Sequence, residues 1–173
     1  MGTKRVGLAR MEALMENLKR EIIGFNVATT AQSVTTHTES GALARNSINL
    51  INDADTATFS LPAVADCSRG DIIIVKYIAA VTSGTHKIGT SGVVYSAQST
   101  IFDGPDANGA STLVSAPNGS SNDILTLNAV SNGGPGIGTE LHFHFDGSQW
   151  AVNGRVATSG NGSGTVNTAF GDT

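Results

Sequence analysis

Cysteine is nearly absent from this chain, with Cys67 alone among 173 residues. One thiol forms no intrachain disulfide framework and no thiolate metal site, so the bland reading of Cys67 is a buried, inert side chain. Charge is also scarce: Asp, Glu, Lys and Arg make up 14% of the sequence, where about 25% is usual. Long apolar runs are missing too. The longest, residues 72–75 and 77–81, are split by Lys76, which excludes a membrane-spanning helix, and the charged N-terminus does not read as a signal peptide. Aromatic residues reach only 5%, and they lie away from the basic cluster, contrary to the interleaving expected of a nucleic-acid-binding face.

What is abundant is small and polar. Seventeen Ser, nineteen Thr and thirteen Asn total 49 residues, and 21 Gly add to them. Hydrophobic residues at 39% still supply a core, so a single folded body is expected, with room for an appendage. Charge divides the chain. Lys4, Arg5, Arg10, Lys19 and Arg20 place five of the ten basic residues in the first twenty, whereas the chain from Glu21 onward holds five basic against twelve acidic residues, a net of −7. A basic arm leads an acidic body.

The arm reads as a helix over about residues 4–23, capped by Thr3 and stopped at Gly24. Leu8, Met11, Met15, Leu18, Ile22 and Phe25 recur at steps of 3 and 4 and form one apolar stripe, widened by Leu14, while Glu16 and Arg20 form an i,i+4 pair. At about two and a half heptads this is too short for a stable isolated coiled coil, so the stripe calls for a partner surface: its own body, another copy, or another protein.

After Gly24, short β-branched runs separated by turn residues predict strands near 33–38, 47–52, 57–61, 72–81, 86–90, 93–97, 111–115, 124–130, 140–145 and 150–157. The fold expected is mainly β, a β-sandwich or jelly-roll-like domain preceded by one amphipathic N-terminal helix. The organisation expected is a helical arm over 1–24, a linker and first strand over 25–46, a sandwich body over 47–157, and a Gly- and Ser-rich tail over 158–173. Phe59, Leu61, Ile73, Val75, Phe143, Phe145 and Trp150 are the expected core, with Asp146 and Gly147 turning the chain so that Phe145 and Trp150 pair.

Motifs for chemistry are sparse. His142 and His144 alternate with Leu141, Phe143 and Phe145, so both imidazoles share one strand face and are the candidate metal ligands. No third ligand accompanies them in the sequence, and a polar strand face accounts for them better than a metal site does. Asp53 with Asp55, and Asp103 with Asp106, fall in turns where Asp serves its own backbone. The run Gly134, Gly136, Gly138 precedes a strand, lacks a lysine and is not a phosphate loop. Asn118 and Asn161 begin glycosylation sequons of the kind an Asn- and Ser-rich chain produces by chance. No catalytic constellation is visible, so no enzyme and no cofactor are expected.

The run at 3–21, TKRVGLARMEALMENLKRE, resembles the N-terminal helix of small virion structural proteins of marine and cyanobacterial tailed phages. The body is similar to theirs at Phe59-Ser60-Leu61-Pro62-Ala63, at Ile101-Phe102-Asp103-Gly104, and from Phe145-Asp146-Gly147 through Trp150 to Gly154. The histidine pair and the loop at 133–138 lie outside that likeness. The resemblance implies a capsid decoration (cement) protein, a homotrimer at threefold positions of the virion surface, assembled in the host cytoplasm. It also implies that Lys4, Arg5, Leu8, Arg10, Met11, Met15, Leu18, Arg20 and Ile22 dock on the major capsid protein. Two alternatives stand beside it: a trimeric tail-fibre or tail-tip subunit, and a module on the virion surface that binds host glycans through Trp150 and the Asn- and Asp-rich loops.

Overall fold

The computed structural model describes residues 33–82, 84–103, 114–128, 135–157 and 167–172. The chain divides into two compact units, Met1–Ser33 and Val34–Thr173. The expected arm helix, with its apolar stripe and basic residues, lies outside the described residues, as do residues 158–166 of the expected tail and residues 104–113, which include the start of the strand expected near 111–115.

The body is mainly β. Among the described residues its strands are β1 (Ser33–His37), β2 (Gly41–Ala42), β3 (Ser47–Ile51), β4 (Ala57–Ser60), β5 (Ile72–Tyr77), β6 (Thr85–Gly89), β7 (Thr100–Asp103), β8 (Val114–Ser115), β9 (Ile124–Asn128), β10 (Glu140–Phe145), β11 (Trp150–Val156) and β12 (Asn167–Gly171), with a 3-10 turn at Val64–Asp66. They form two sheets. The seven-stranded sheet runs β1-β3-β5-β10-β11-β7-β8 and the five-stranded sheet β12-β9-β6-β4-β2.

From β1 to β6 every connection carries the chain into the other sheet, so odd strands stack in one and even strands in the other. Three of the returning strands run beside the last strand of their own sheet in the same direction: β3 pairs with β5, β2 with β4, and β4 with β6, all in parallel. Parallel neighbours require a crossover, and here the crossover is a strand of the opposite sheet rather than a helix. A fourth parallel pair joins β7 to β11, while β5, β10 and β11 are antiparallel. A jelly roll is assembled from antiparallel Greek keys, so these parallel pairs leave that part of the expectation unconfirmed. The coarser architecture is two mixed sheets that share one core.

That core follows from alternation. Ile73, Val75 and Tyr77 of β5, Leu141, Phe143 and Phe145 of β10, and Trp150, Val152 and Val156 of β11 turn inward from one sheet; Ala57 and Phe59 of β4, Ile88 of β6, and Leu125 and Leu127 of β9 meet them from the other. Phe59, Leu61, Ile73, Val75, Phe143, Phe145 and Trp150 are all buried, none more than 3% exposed.

Several elements differ from the sequence reading. The run predicted over 72–81 leaves the sheet after Tyr77, where Ile78 and Ala79 both turn their N–H groups to the Ile51 carbonyl and begin the crossover to β6. Residues 93–97 make a lone bridge, Tyr95 with Trp150. The strands β2, β7 and β12 are additional, each too short or too polar to show a period. In β3 the polarity is inverted, since Ser47 and Asn49 point into the core beside Ile51 while Ile48 and Leu50 lie on the outer face.

Candidate functional site

The outer face of the seven-stranded sheet carries the histidine pair. Alternation along β10 puts Glu140, His142 and His144 outside, opposite the buried Leu141, Phe143 and Phe145. Register brings Lys76 of β5 beside Glu140, Ile74 beside His142 and Ile72 beside His144, with Arg155 and Asn153 of β11 on the far side of Glu140 and His142. The Lys76 Nζ lies 3.0 Å from Glu140 Oε2, and His142 Nε2 donates to Glu140 Oε1 at 2.6 Å. The His142 hydrogen bond and then the Lys76 ammonium hold the Glu140 carboxyl below its ordinary range. These three side chains are each about 40% exposed, so water screens the charges and the pairs are worth about 0–1 kcal/mol each.

The face therefore gathers Lys76, Glu140, His142 and the exposed His144, flanked by Ile48, Leu50, Ile72 and Ile74. Among the described residues no three His, Cys, Asp or Glu side chains are grouped to hold a metal ion. His142 already spends one ring nitrogen on Glu140.

A second cluster, which the sequence reading missed, joins loops at one end of the body. Asp71 is 8% exposed and accepts from the Ser68 N–H at 2.8 Å, the Asn46 amide at 3.0 Å and Arg45 Nη1 at 3.1 Å. Arg45 also donates to the Asp66 carbonyl. Asn46 has a φ of 50°, a left-handed conformation that Asn tolerates, and its side-chain oxygen accepts from the Ile72 N–H at 3.1 Å. The Ser68 N–H first of all, then Asn46 and Arg45, outweigh burial and lower the Asp71 pKa. The cluster closes the entries to β3 and β5, and Gly70 and Asp71 exchange backbone hydrogen bonds with Phe145. Its groups are paired with one another, which makes it a fastening rather than a ligand site.

Inside, Asn49 accepts from the Ala44 N–H at 2.8 Å and from His37 Nε2 at 2.9 Å, and donates to the Ala44 carbonyl at 3.1 Å. The inward polarity of β3 is thus satisfied. Alternation points the other way, since it would bury Ile48 and Leu50 and turn Ser47 and Asn49 outward.

The turn aspartates do backbone work. Asp53 accepts from the Asp55 N–H at 2.9 Å, and Asp146 from the N–H groups of Ser148 and Gln149 at 2.7 and 2.8 Å. Asn118 caps its own loop in the same way, accepting from Ser120 and Ser121 at 2.9 and 3.0 Å. Asp103 ends β7, and Asp106 lies outside the described residues. Cys67 is half-buried, and desolvation first, then the charge of Asp71, raises its thiol pKa.

Trp150 is fully buried, 5.2 Å from Phe145 between ring centroids, and its indole N–H has no hydrogen-bond partner among the described residues. A ring held in this way presents no face on which a sugar could stack. Among the described residues, no helix is long and apolar enough to cross a membrane.

Comparison with known proteins adds no relative: no family model matches the chain, and neither a curated protein nor a solved structure does.

Proposed function

We propose that this chain is a structural subunit of a tailed-phage virion, a head decoration protein that fastens to the major capsid protein through its N-terminal arm and acts by binding, without catalysis. The observation that carries this reading is the likeness of the run at 3–21, with its stripe of Leu8, Met11, Met15, Leu18 and Ile22, to the helices of such proteins. The body is in keeping with the role. It is mainly β, and its two sheets have sandwich-like layering around one core.

On this reading the arm buries its stripe against the shell, while Lys4, Arg5, Arg10 and Arg20 speed association with an acidic surface. The working form is a homotrimer at threefold positions on the capsid surface. A trimeric fibre or tail-tip subunit is the second reading, and it rests on the same likeness. The glycan-binding reading loses its main support because Trp150 is buried.

Two measurements test the proposal. Quantitative mass spectrometry of purified particles should find copies on the scale of the major capsid protein; a handful per particle would point to the fibre. Deleting residues 2–23 should leave a protein that no longer decorates shells, and full occupancy by the truncated chain would overturn the role of the arm. Sedimentation of the full chain checks the trimer separately, a monomer at micromolar concentration counting against it.

A further inference from the structure

His86 sits on β6 with none of its surface exposed, beside Ala57 of β4 and Leu127 of β9. Its ring meets Phe59 edge-on at 5.6 Å and Tyr77, from the opposite sheet, also at 5.6 Å. Both ring nitrogens are occupied: Nε2 lies 2.6 Å from the Asp55 carbonyl oxygen and Nδ1 lies 3.2 Å from the Tyr77 hydroxyl. A carbonyl only accepts, so Nε2 carries the hydrogen and Nδ1 accepts from the Tyr77 O–H. The surroundings select the neutral ring in one tautomer.

Asp55 belongs to the crossover, residues 52–56, that carries the chain from β3 in one sheet to β4 in the other. The connection from β5 to β6 runs alongside it. Thr82 donates its N–H to the Ala54 carbonyl at 3.1 Å, Thr85 donates to the Thr56 hydroxyl at 3.4 Å, and a Cβ added to Gly84 would come within 1.9 Å of that hydroxyl. His86 thus ties one crossover to both sheets at the place where two crossovers pass.

We propose that His86 is a proton-operated latch: its neutral ring holds the β3–β4 crossover closed, and a second proton on that ring, taken up in mild acid, releases the crossover end of the body while the β10–β11 hairpin stays folded.

The groups that face the ring do little to accommodate such a charge. Tyr77 comes from β5 and remains a phenol far above neutral pH. The crossover contributes the Asp55 carbonyl and, farther off, the Asp53 carboxylate. His37 of β1 is reached only through Phe59, whose ring it meets at 5.8 Å, and the next residue on β6, Lys87, points to the exposed side. β4 and β9 present only Ala57, Phe59 and Leu127. Burial is the largest influence and pushes the ring's pKa down, against smaller upward pulls from the Asp55 carbonyl and the Asp53 charge. A proton on Nδ1 would also confront the Tyr77 hydroxyl, which would have to turn its own hydrogen away.

The sign follows. In the released form the ring titrates near its ordinary ~6.5, and in the latched form it titrates lower. The released form therefore binds more protons between those two values. Over that window the opening constant rises by up to about tenfold per pH unit as pH falls. Above ~6.5 it is flat.

Amide hydrogen exchange of the full-length chain from pH 7.5 to 5, corrected for the intrinsic rate, reads this directly. Amides at 54–59 and 84–88 should open progressively more as pH falls below 6.5, by up to about tenfold per unit, while those of the β10–β11 hairpin hold. His86→Gln can donate to the Asp55 carbonyl and accept from Tyr77 but cannot titrate, so its exchange should lose the acid response. An equal response in wild type and His86→Gln overturns the latch, as does no response in wild type or a uniform response that includes the hairpin. Should His86→Gln fail to fold, the pH dependence of His86 C2–H exchange in the wild type decides: a midpoint below 6.5 supports the latch, and one at or above 6.5 overturns it.

Discussion

Phe145 and Trp150 stand opposite each other at the closed end of the β10–β11 hairpin, ring centroids 5.2 Å apart and planes inclined by 48°. A four-residue loop, Asp146 to Gln149, brings them there, with Gly147 at φ 107° and the Asp146 side chain holding Ser148 and Gln149. The pair fixes the register of the hairpin on the core side.

Removing the indole should cost ~3–5 kcal/mol, so Trp150→Ala is expected to be severely destabilised in urea titration. Trp150→Phe keeps a ring against Phe145 and also removes the buried N–H that lacks a partner, so it should cost less than half as much. The native fluorescence maximum should be that of a buried indole and should shift to long wavelength on unfolding.

Gly154 occupies β11 opposite Leu141, and a Cβ there would lie 2.3 Å from the Glu140 carbonyl oxygen and 2.8 Å from Leu141 Cα. Both obstacles are backbone and cannot swing aside. Gly154→Ala should lose ~2–3 kcal/mol or more, measured by denaturant midpoint, as an overpacked site does. Gly171→Ala is the control, having nothing within 4 Å of the added Cβ, and should stay within ~0.5 kcal/mol.

Asp71 carries a lowered pKa, so its carboxylate stabilises the fold at pH values above its unfolded ~3.9, and that contribution is lost as pH falls through the lower folded value. Asp71→Asn should therefore cost about 1–3 kcal/mol at pH 7 through weakened charge-assisted hydrogen bonds to Ser68 and Arg45. The gap to wild type should narrow in acid. Chemical denaturation at pH 7 and pH 3 measures both ends.

The outward histidines contribute little to the fold. His142→Gln with His144→Gln should shift stability by no more than ~0.5 kcal/mol. Adding Zn²⁺ should change the melting temperature equally in wild type and double variant; a zinc shift confined to the wild type would establish the pair as ligands.

Much of the body was legible in the sequence because β-strands write their burial locally. Phe143 and Phe145 alternate with His142 and His144, so period and polarity agree there, and in β5 Lys76 marks the outer face and assigns Ile73 and Val75 to the inner one. Turn residues did the same for Asp53 and Asp146, whose side chains bind backbone two or three residues away. The outward placement of the histidine pair belongs to this local class.

Tertiary structure decided the rest. Strand partners are chosen across the chain, so nothing within residues 47–51 announces that β3 will lie parallel to β5 by way of a strand in the other sheet. In Ser47-Ile48-Asn49-Leu50-Ile51 two registers compete, and the acceptors and donors offered by Ala44 and His37 satisfy Asn49 inside and leave Ile48 and Leu50 outside. His86 is the sharpest case. One histidine between Thr85 and Lys87 carries no local sign of burial; only the approach of Asp55, 31 positions earlier, and of Tyr77 from the facing sheet supplies both of its hydrogen bonds and makes a neutral imidazole a stable part of the core.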